Sequence, residues 1–80
     1  MNRAEILAAV TAVFRDVLDD ARIVLGENTT AADVADWDSL THIQLVVAVE
    51  KRFGIRFGSR EIQSWATVGE MLNSIVAKVK

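Results

Sequence analysis

Three stretches of the chain repeat apolar residues at three- and four-residue steps, the spacing of one face of an α-helix. The first stretch begins after Asn2, and Glu5 follows three residues later, a spacing typical of a capping box. We therefore predict a first helix from about residue 3 to about residue 18. Its apolar face consists of Ile6, Leu7, Val10, Val13, Phe14, Val17 and Leu18.

A second helix is predicted to begin at Ser39 and to end at Gly54, since a Gly just past the last apolar residue can adopt the left-handed conformation. The run VVAV inside it is β-branched and is open to a strand interpretation, but the 3.6-residue spacing favours a helix. The side chains expected mostly in the core are Ile43, Val46, Val47 and Phe53, although the sequence leaves an outward orientation open for Val47 and Val49.

The third and fourth helices follow a short extended linker, IRF. Gly58 and Ser59 open a brief helix, SREIQSW, and Thr67 with Glu70 forms a second capping box. The apolar face of the last helix is Val68, Met71, Leu72, Ile75, Val76 and Val79.

A long non-periodic connection, DDARIVLGENTTAADVADWD, separates the first two helices. It contains Gly26 and Asn28 as turn formers. Its expected apolar anchors are Val24, Leu25, Val34 and Trp37. The sequence therefore predicts an ordered loop in an all-α fold: a small four-helix bundle with a short third helix, forming a single domain over residues 1–80.

Composition excludes several function classes. The 80 residues include no Cys and one His, which rules out a disulfide framework, a thiolate metal cage and a multi-histidine site, so we expect no metal. A formal charge of −2 offers no basic field, so no nucleic-acid partner is expected. The sequence has no apolar span of about 20 residues and no signal-like start, which predicts a cytoplasmic protein without a membrane partner.

The stretch DWDSLT, residues 36–41, lies where the loop meets the second helix. Locally, Ser39 is expected to be the N-cap of that helix, and Asp38 either complements the helix dipole or caps it. These residues alone leave open whether Ser39 is only a cap or also a site of chemistry.

The arrangement of the whole chain resembles the acyl carrier and peptidyl carrier protein family. The resemblance rests on DWDSL after a long loop, an apolar helix ending in EKRFGIRF, a short helix and a Thr-capped last helix. It implies that Ser39 carries covalently attached 4′-phosphopantetheine, donated by coenzyme A and holding cargo as a thioester. The implied partners are a phosphopantetheinyl transferase, a loading ligase or transferase and downstream biosynthetic enzymes, with the carrier itself a monomer and not an enzyme.

The resemblance also implies partner recognition by residues around Ser39, each with a simpler alternative. Asp38 is expected to contact the transferase, and Leu40 either packs on partners or belongs to the core. Trp37 is an anchor for the loop or a contact for the arm or a partner, whereas His42 is expected at the surface but on the same face as Ser39. Val47 is the remaining candidate contact.

One departure from the family concerns charge. Where carriers of bacterial fatty-acid synthesis usually have acids, the second helix has Thr41 and Gln44, and Glu50 is followed by Lys51 and Arg52. We therefore expect a specialised standalone carrier, serving polyketide, nonribosomal-peptide or related biosynthesis rather than housekeeping fatty-acid biosynthesis. The alternative is an unmodified helical docking module, and an enzyme using Ser39 or His42 is disfavoured because neither has a catalytic companion in the sequence.

Overall fold

The computed structural model describes residues 2–79, so Met1 and Lys80, the ends of the expected domain, lie outside it. The described residues contain no strand, and the VVAV run is helical, which confirms the predicted all-α fold. The elements are α1 (Arg3–Val17), α2 (Ser39–Phe53), α3 (Ser59–Ser64) and α4 (Val68–Val79), with a 3₁₀ turn at Ala31–Asp33 inside the long loop.

The helix boundaries are set by local caps. In α1 the Glu5 N–H donates to Asn2 Oδ1 at 2.8 Å and the Asn2 N–H donates to Glu5 Oε1 at 2.9 Å, which confirms the predicted capping box. Gly54 ends α2 in the left-handed conformation with φ of 66°. Before α4, the Glu70 N–H donates to Thr67 Oγ1, but the Glu70 carboxylate accepts from the Ala66 N–H rather than from Thr67.

The core is formed where α1 packs against α2 and α4. Full burial of an aliphatic or aromatic side chain contributes about 1.5–3 kcal/mol, so nine such side chains provide the main stabilisation of a chain of this size. They are Ile6, Val10, Phe14, Leu45, Val49, Val68, Met71, Leu72 and Ile75.

The long loop is packed onto this core, but one predicted anchor is wrong. Val24 is 78% exposed, whereas its neighbours Ile23 and Leu25 are buried. Consecutive side chains of an extended segment point in opposite directions, so burial of Ile23 and Leu25 turns Val24 outward. Val34 and Trp37 pack against the core as predicted.

The loop is also tied to the start of α4. The Val68 N–H donates to Thr29 O and the Gly69 N–H donates to Glu27 O, each at 2.8 Å, so loop carbonyls satisfy amides that have no partner within the helix. Arg3 Nε and Nη2 donate to the two carboxylate oxygens of Glu27 at 2.6 and 2.7 Å, and Nη2 also reaches Gly69 O at 3.0 Å. The loop, α1 and α4 therefore meet at Gly69.

No helix within residues 2–79 has both the length and the apolar character needed to cross a bilayer.

Gly69→Ala is predicted to destabilise the fold, because the added Cβ would lie 2.7 Å from Glu27 O and 2.9 Å from Glu27 Oε1. Overpacking of this kind costs about 1–3 kcal/mol, which exceeds the gain of up to about 1 kcal/mol from replacing a helical Gly by Ala. Urea unfolding should therefore show a lower midpoint for Gly69→Ala.

The matched control is Gly58→Ala, whose Cβ meets nothing within 4 Å. Its midpoint is expected to fall less than that of Gly69→Ala, because only the N-cap preference of Gly58 is lost and no atoms clash. An unchanged or higher midpoint for Gly69→Ala would contradict the contact between the loop and α4.

Candidate functional site

Ser39 is the first residue of α2, and its side chain is exposed. The N-cap is Asp38, not Ser39, so the expectation that Ser39 caps the helix is wrong. Asp38 Oδ1 accepts from the N–H groups of Leu40 and Thr41, each at 2.9 Å, and Thr41 Oγ1 accepts from the Asp38 N–H at 2.8 Å. The Ser39 hydroxyl takes part in none of the hydrogen bonds among the described residues, so the cap leaves it available.

Hydrogen bonds of Thr41 and Asp38 fix the turn that leads into Ser39. The Thr41 hydroxyl donates to the carbonyl of Asp36 at 2.7 Å, which closes residues 36–41 into a compact turn. The amide of Thr41, and then that of Leu40, donate to the ionised carboxylate of Asp38 and lower its pKa below the ordinary value.

Trp37 joins this turn to the core. Its ring contacts the buried ring of Phe14 edge-on, with 4.9 Å between centroids and an interplanar angle of 90°. Its indole N–H donates to His42 Nδ1 at 3.0 Å, and the Trp37 and His42 rings stack at 5.9 Å. The structure thus supports the interpretation of Trp37 as a loop anchor.

His42 is partly buried, contrary to the expectation of a plain surface position. Because Nδ1 accepts from Trp37, the neutral imidazole carries its proton on Nε2. The ring also meets Trp65 at 6.5 Å between centroids. His42 therefore lies between two indoles, at the junction of α2 and the segment before α4.

Trp65 is a site residue that sequence reasoning missed. Its indole N–H donates to Ser74 Oγ at 2.9 Å, and its ring contacts Phe57 edge-on at 4.8 Å. It meets His42 only through the tertiary fold, so no local spacing signals the contact. Five rings now form one continuous series: Phe14, Trp37, His42, Trp65 and Phe57.

Two spaces adjoin this series. An open groove of about 310 Å³ lies beside Ser39, and its other lining residues are Ala31, Trp37, Asp38 and His42. A smaller, more enclosed cavity of about 70 Å³ lies further in. Its lining residues are Ala31, Trp37, His42, Trp65, Ala66, Thr67 and Met71.

An exposed apolar stripe follows Ser39 along α2. Leu40, Ile43 and Val47 are 68%, 64% and 44% exposed, at positions three and four residues apart. The expectation that Ile43 belongs to the core is therefore wrong, and of the two alternatives for Val47 the outward orientation is the one observed. Val49 is 1% exposed and faces the core, so it is not available to a partner.

Within residues 2–79, no hydrogen bond joins the Ser39 hydroxyl to an acid or a base. Among the described residues no hydrogen bond joins Ser39 to His42, whose Nδ1 already accepts from Trp37. The same part of the chain contains no group of three or more His, Asp or Glu side chains that could hold a metal ion. The Ser39 hydroxyl is therefore exposed at the start of α2 and makes no hydrogen bond within residues 2–79.

Comparison with known proteins agrees with this arrangement. A family model described as the phosphopantetheine attachment site matches residues 8–75, which defines the chain as a phosphopantetheine-binding carrier. An acyl carrier protein from Thermosynechococcus vestitus is 36% identical over 80 residues, covering 99% of this chain and 98% of the relative. The chain belongs to the acyl carrier protein family.

Two further relatives have informative names. The acyl carrier protein MbtL of Mycobacterium sp. (strain MCS) is 34% identical over 79 residues, covering 98% of this chain and 88% of the relative. The solution NMR structure of holo acyl carrier protein from Geobacter metallireducens is 40% identical with a TM-score of 0.86, covering 91% of this chain and 84% of that one. The predicted family, fold and covalently attached 4′-phosphopantetheine are thereby confirmed. Proteins of this family work with phosphopantetheinyl transferases and biosynthetic enzymes.

The lowered pKa of Asp38 predicts a specific acid sensitivity. The carboxylate's contribution to stability is fully present above the ordinary Asp pKa of about 3.9, and it is lost as pH falls through the lower pKa of the folded state. Asp38→Asn retains a capping side chain but does not titrate there. Comparing the unfolding temperatures of the two proteins cancels the titration of the other acids, and the advantage of the unsubstituted protein at neutral pH should shrink once the pH falls below the ordinary Asp pKa of about 3.9. An equal difference at both pH values would show that the cap does not depend on charge.

Proposed function

We propose that Ser39 is the residue to which 4′-phosphopantetheine is attached. The observation that carries this proposal is the division of roles at the start of α2: Asp38 caps the helix, and the exposed Ser39 hydroxyl has no hydrogen-bond partner within residues 2–79. The N-terminus of α2 also favours the negative charge of a phosphodiester through the helix dipole, and the Ser39 N–H is not among the amides that donate to Asp38.

The residues around Ser39 fit the group. The hydroxyl is exposed, and the adjoining groove of about 310 Å³ gives the arm room beside Trp37 and His42. When attached, the group supplies a terminal thiol that holds cargo as a thioester. Asp38 and Thr41 fix the first turn of α2, and Trp37 fixes the loop before it, so the attachment point keeps a defined position on the bundle.

The proposed activity is that of a monomeric cytoplasmic carrier, not an enzyme. The lack of a hydrogen bond from Ser39 to His42 within residues 2–79 supports this, because activation of the hydroxyl then depends on the modifying enzyme. The long flexible arm raises the effective concentration of cargo at each partner's active site in turn.

Intact-protein mass spectrometry tests the attachment residue. After incubation with coenzyme A and a broad-specificity phosphopantetheinyl transferase, the chain should gain the mass of one phosphopantetheinyl group. Ser39→Ala should abolish the gain, because it removes the acceptor hydroxyl. The matched control is Ser59→Ala, at the exposed first residue of α3, which should be modified as fully as the unsubstituted chain.

The same experiment separates the alternative function. A helical docking module that is never modified would show no mass gain with several transferases of different origin. Modification that persists in Ser39→Ala would instead place the arm on another residue.

We further propose that partners recognise α2 through its apolar stripe, with Leu40 and Val47 as contacts on either side of Ile43. Asp38 has a second carboxylate oxygen that makes no hydrogen bond among the described residues, so capping is compatible with contact to a basic residue of the transferase. We assign Trp37 and His42 to the groove beside the arm rather than to the partner surface.

The charges of α2 support a specialised pathway, such as polyketide or nonribosomal-peptide biosynthesis. Thr41 and Gln44 provide no charge, and Lys51 and Arg52 are exposed bases. Glu50 is the sole acid of α2, and its carboxylate accepts from the Phe57 N–H at 2.8 Å, which commits it to the fold. An enzyme that recognises acidic carriers therefore finds little to bind on this helix.

This proposal predicts the effect of adding an acid. With a malonyl transferase of fatty-acid synthesis that has a basic docking patch, Gln44→Glu should raise the transfer rate to the holo protein several-fold at low salt. The increase should disappear near 1 M salt, where the screening length falls to about 3 Å. Gln63→Glu, which makes the same change at an exposed position of α3, is the control. Efficient transfer to the unsubstituted protein at low salt would contradict the specialised assignment.

A further inference from the structure

Trp37, His42 and Ala31 line both the open groove beside Ser39 and the smaller cavity behind it. These residues therefore lie between the attachment point and the smaller cavity. Trp65 lines only the inner cavity, where it stands behind His42 as the next ring in the series.

The rings of Trp37, His42 and Trp65 are held in place by contacts with their neighbours. Trp37 is fixed by Phe14 and by its hydrogen bond to His42, so moving either ring away breaks the contact at 3.0 Å. Trp65 is fixed by its hydrogen bond to Ser74 and its contact with Phe57. An acyl chain that enters the bundle from Ser39 must therefore displace rings that are hydrogen-bonded to, or packed against, other parts of the fold.

The space behind these rings is small. The inner cavity measures about 70 Å³. A dry cavity of about 150 Å³ is the size that accommodates benzene, so the space here is less than half of what one aromatic ring requires. It has no room for a medium or long acyl chain unless the indoles move.

We propose that Trp37, His42 and Trp65 form an aromatic wall that keeps cargo out of the bundle, so that the arm and its load rest in the outer groove. This inference depends on the proposed attachment at Ser39. The cargo class that suits such a carrier is a short or polar acyl group, or an aminoacyl group, because these lose little by staying in contact with water. A long fatty acyl chain would gain no protection from this protein.

The test compares two loads on the same arm. The transferase is supplied with acetyl-coenzyme A or octanoyl-coenzyme A, so that it transfers the arm with the acyl group already attached and releases adenosine 3′,5′-bisphosphate. Intact mass confirms that each protein carries its load before and after measurement. The unfolding temperature and the ε-methyl NMR signal of Met71, which lines the inner cavity, are then recorded. In the unsubstituted protein the octanoyl and acetyl forms should differ by no more than about 1 °C, with the same Met71 signal.

Opening the wall should reverse this result. In His42→Ala/Trp65→Ala the octanoyl form should unfold at least about 4 °C above the acetyl form, because methylenes can now be buried, and the Met71 signal should differ between the two loads. If that variant does not fold, His42→Ala/Trp65→Leu keeps more apolar volume and tests the same opening. Phe53→Ala removes a partly buried ring at the far end of α2 and should leave the two loads indistinguishable.

Two outcomes would overturn the proposal. One is an octanoyl-dependent rise in unfolding temperature, together with a shifted Met71 signal, in the unsubstituted protein. The other is a folded, loaded double variant that responds no more than the unsubstituted protein. Failure of the proposed attachment is distinguishable from both, since it appears earlier as the absence of any loaded mass.

Discussion

The edge contact between Trp37 and Phe14 is the interaction on which the site depends. Phe14 is fully buried among α1, α2 and α4, so its ring has the fixed position of the core. Trp37 packs against this ring and so fixes the end of the long loop, and the next residue, Asp38, caps α2. Core packing therefore determines the position of Ser39, through the neighbouring side chains of Trp37 and Asp38.

The division of roles between Asp38 and Ser39 has a chemical consequence. A Ser that capped α2 would direct its oxygen at backbone amides, and modification of that oxygen would compete with the cap. Here Asp38 supplies both amide contacts, so changing the Ser39 hydroxyl need not disturb the helix. The middle of the loop is held by backbone groups, since the carbonyls of Glu27 and Thr29 accept from the first amides of α4.

Local chemistry explains which features the sequence predicted. The helix boundaries were predicted closely because Asn2, Gly54 and Thr67 each mark a helix end through contacts with residues nearby in the sequence. The environment of His42 and the contribution of Trp65 could not be predicted, since each depends on a ring brought from a distant segment. Ile43 was misplaced because an apolar residue at helical spacing is compatible with either the core or a partner surface.

The few charges of α2 and the proposed aromatic wall both favour recognition of this carrier through its apolar surface, with the cargo outside the bundle. Glu50 is the acid that an enzyme would seek on this helix, yet its carboxylate holds the Phe57 amide, and Phe57 supports Trp65 in turn. The residue that would have provided an electrostatic contact therefore stabilises the wall. Under the proposals above, a partner meets the apolar stripe at Leu40 while the load lies outside the bundle in the groove next to it. Recognition of carrier and cargo can then occur on one continuous surface, without first extracting the cargo from a core.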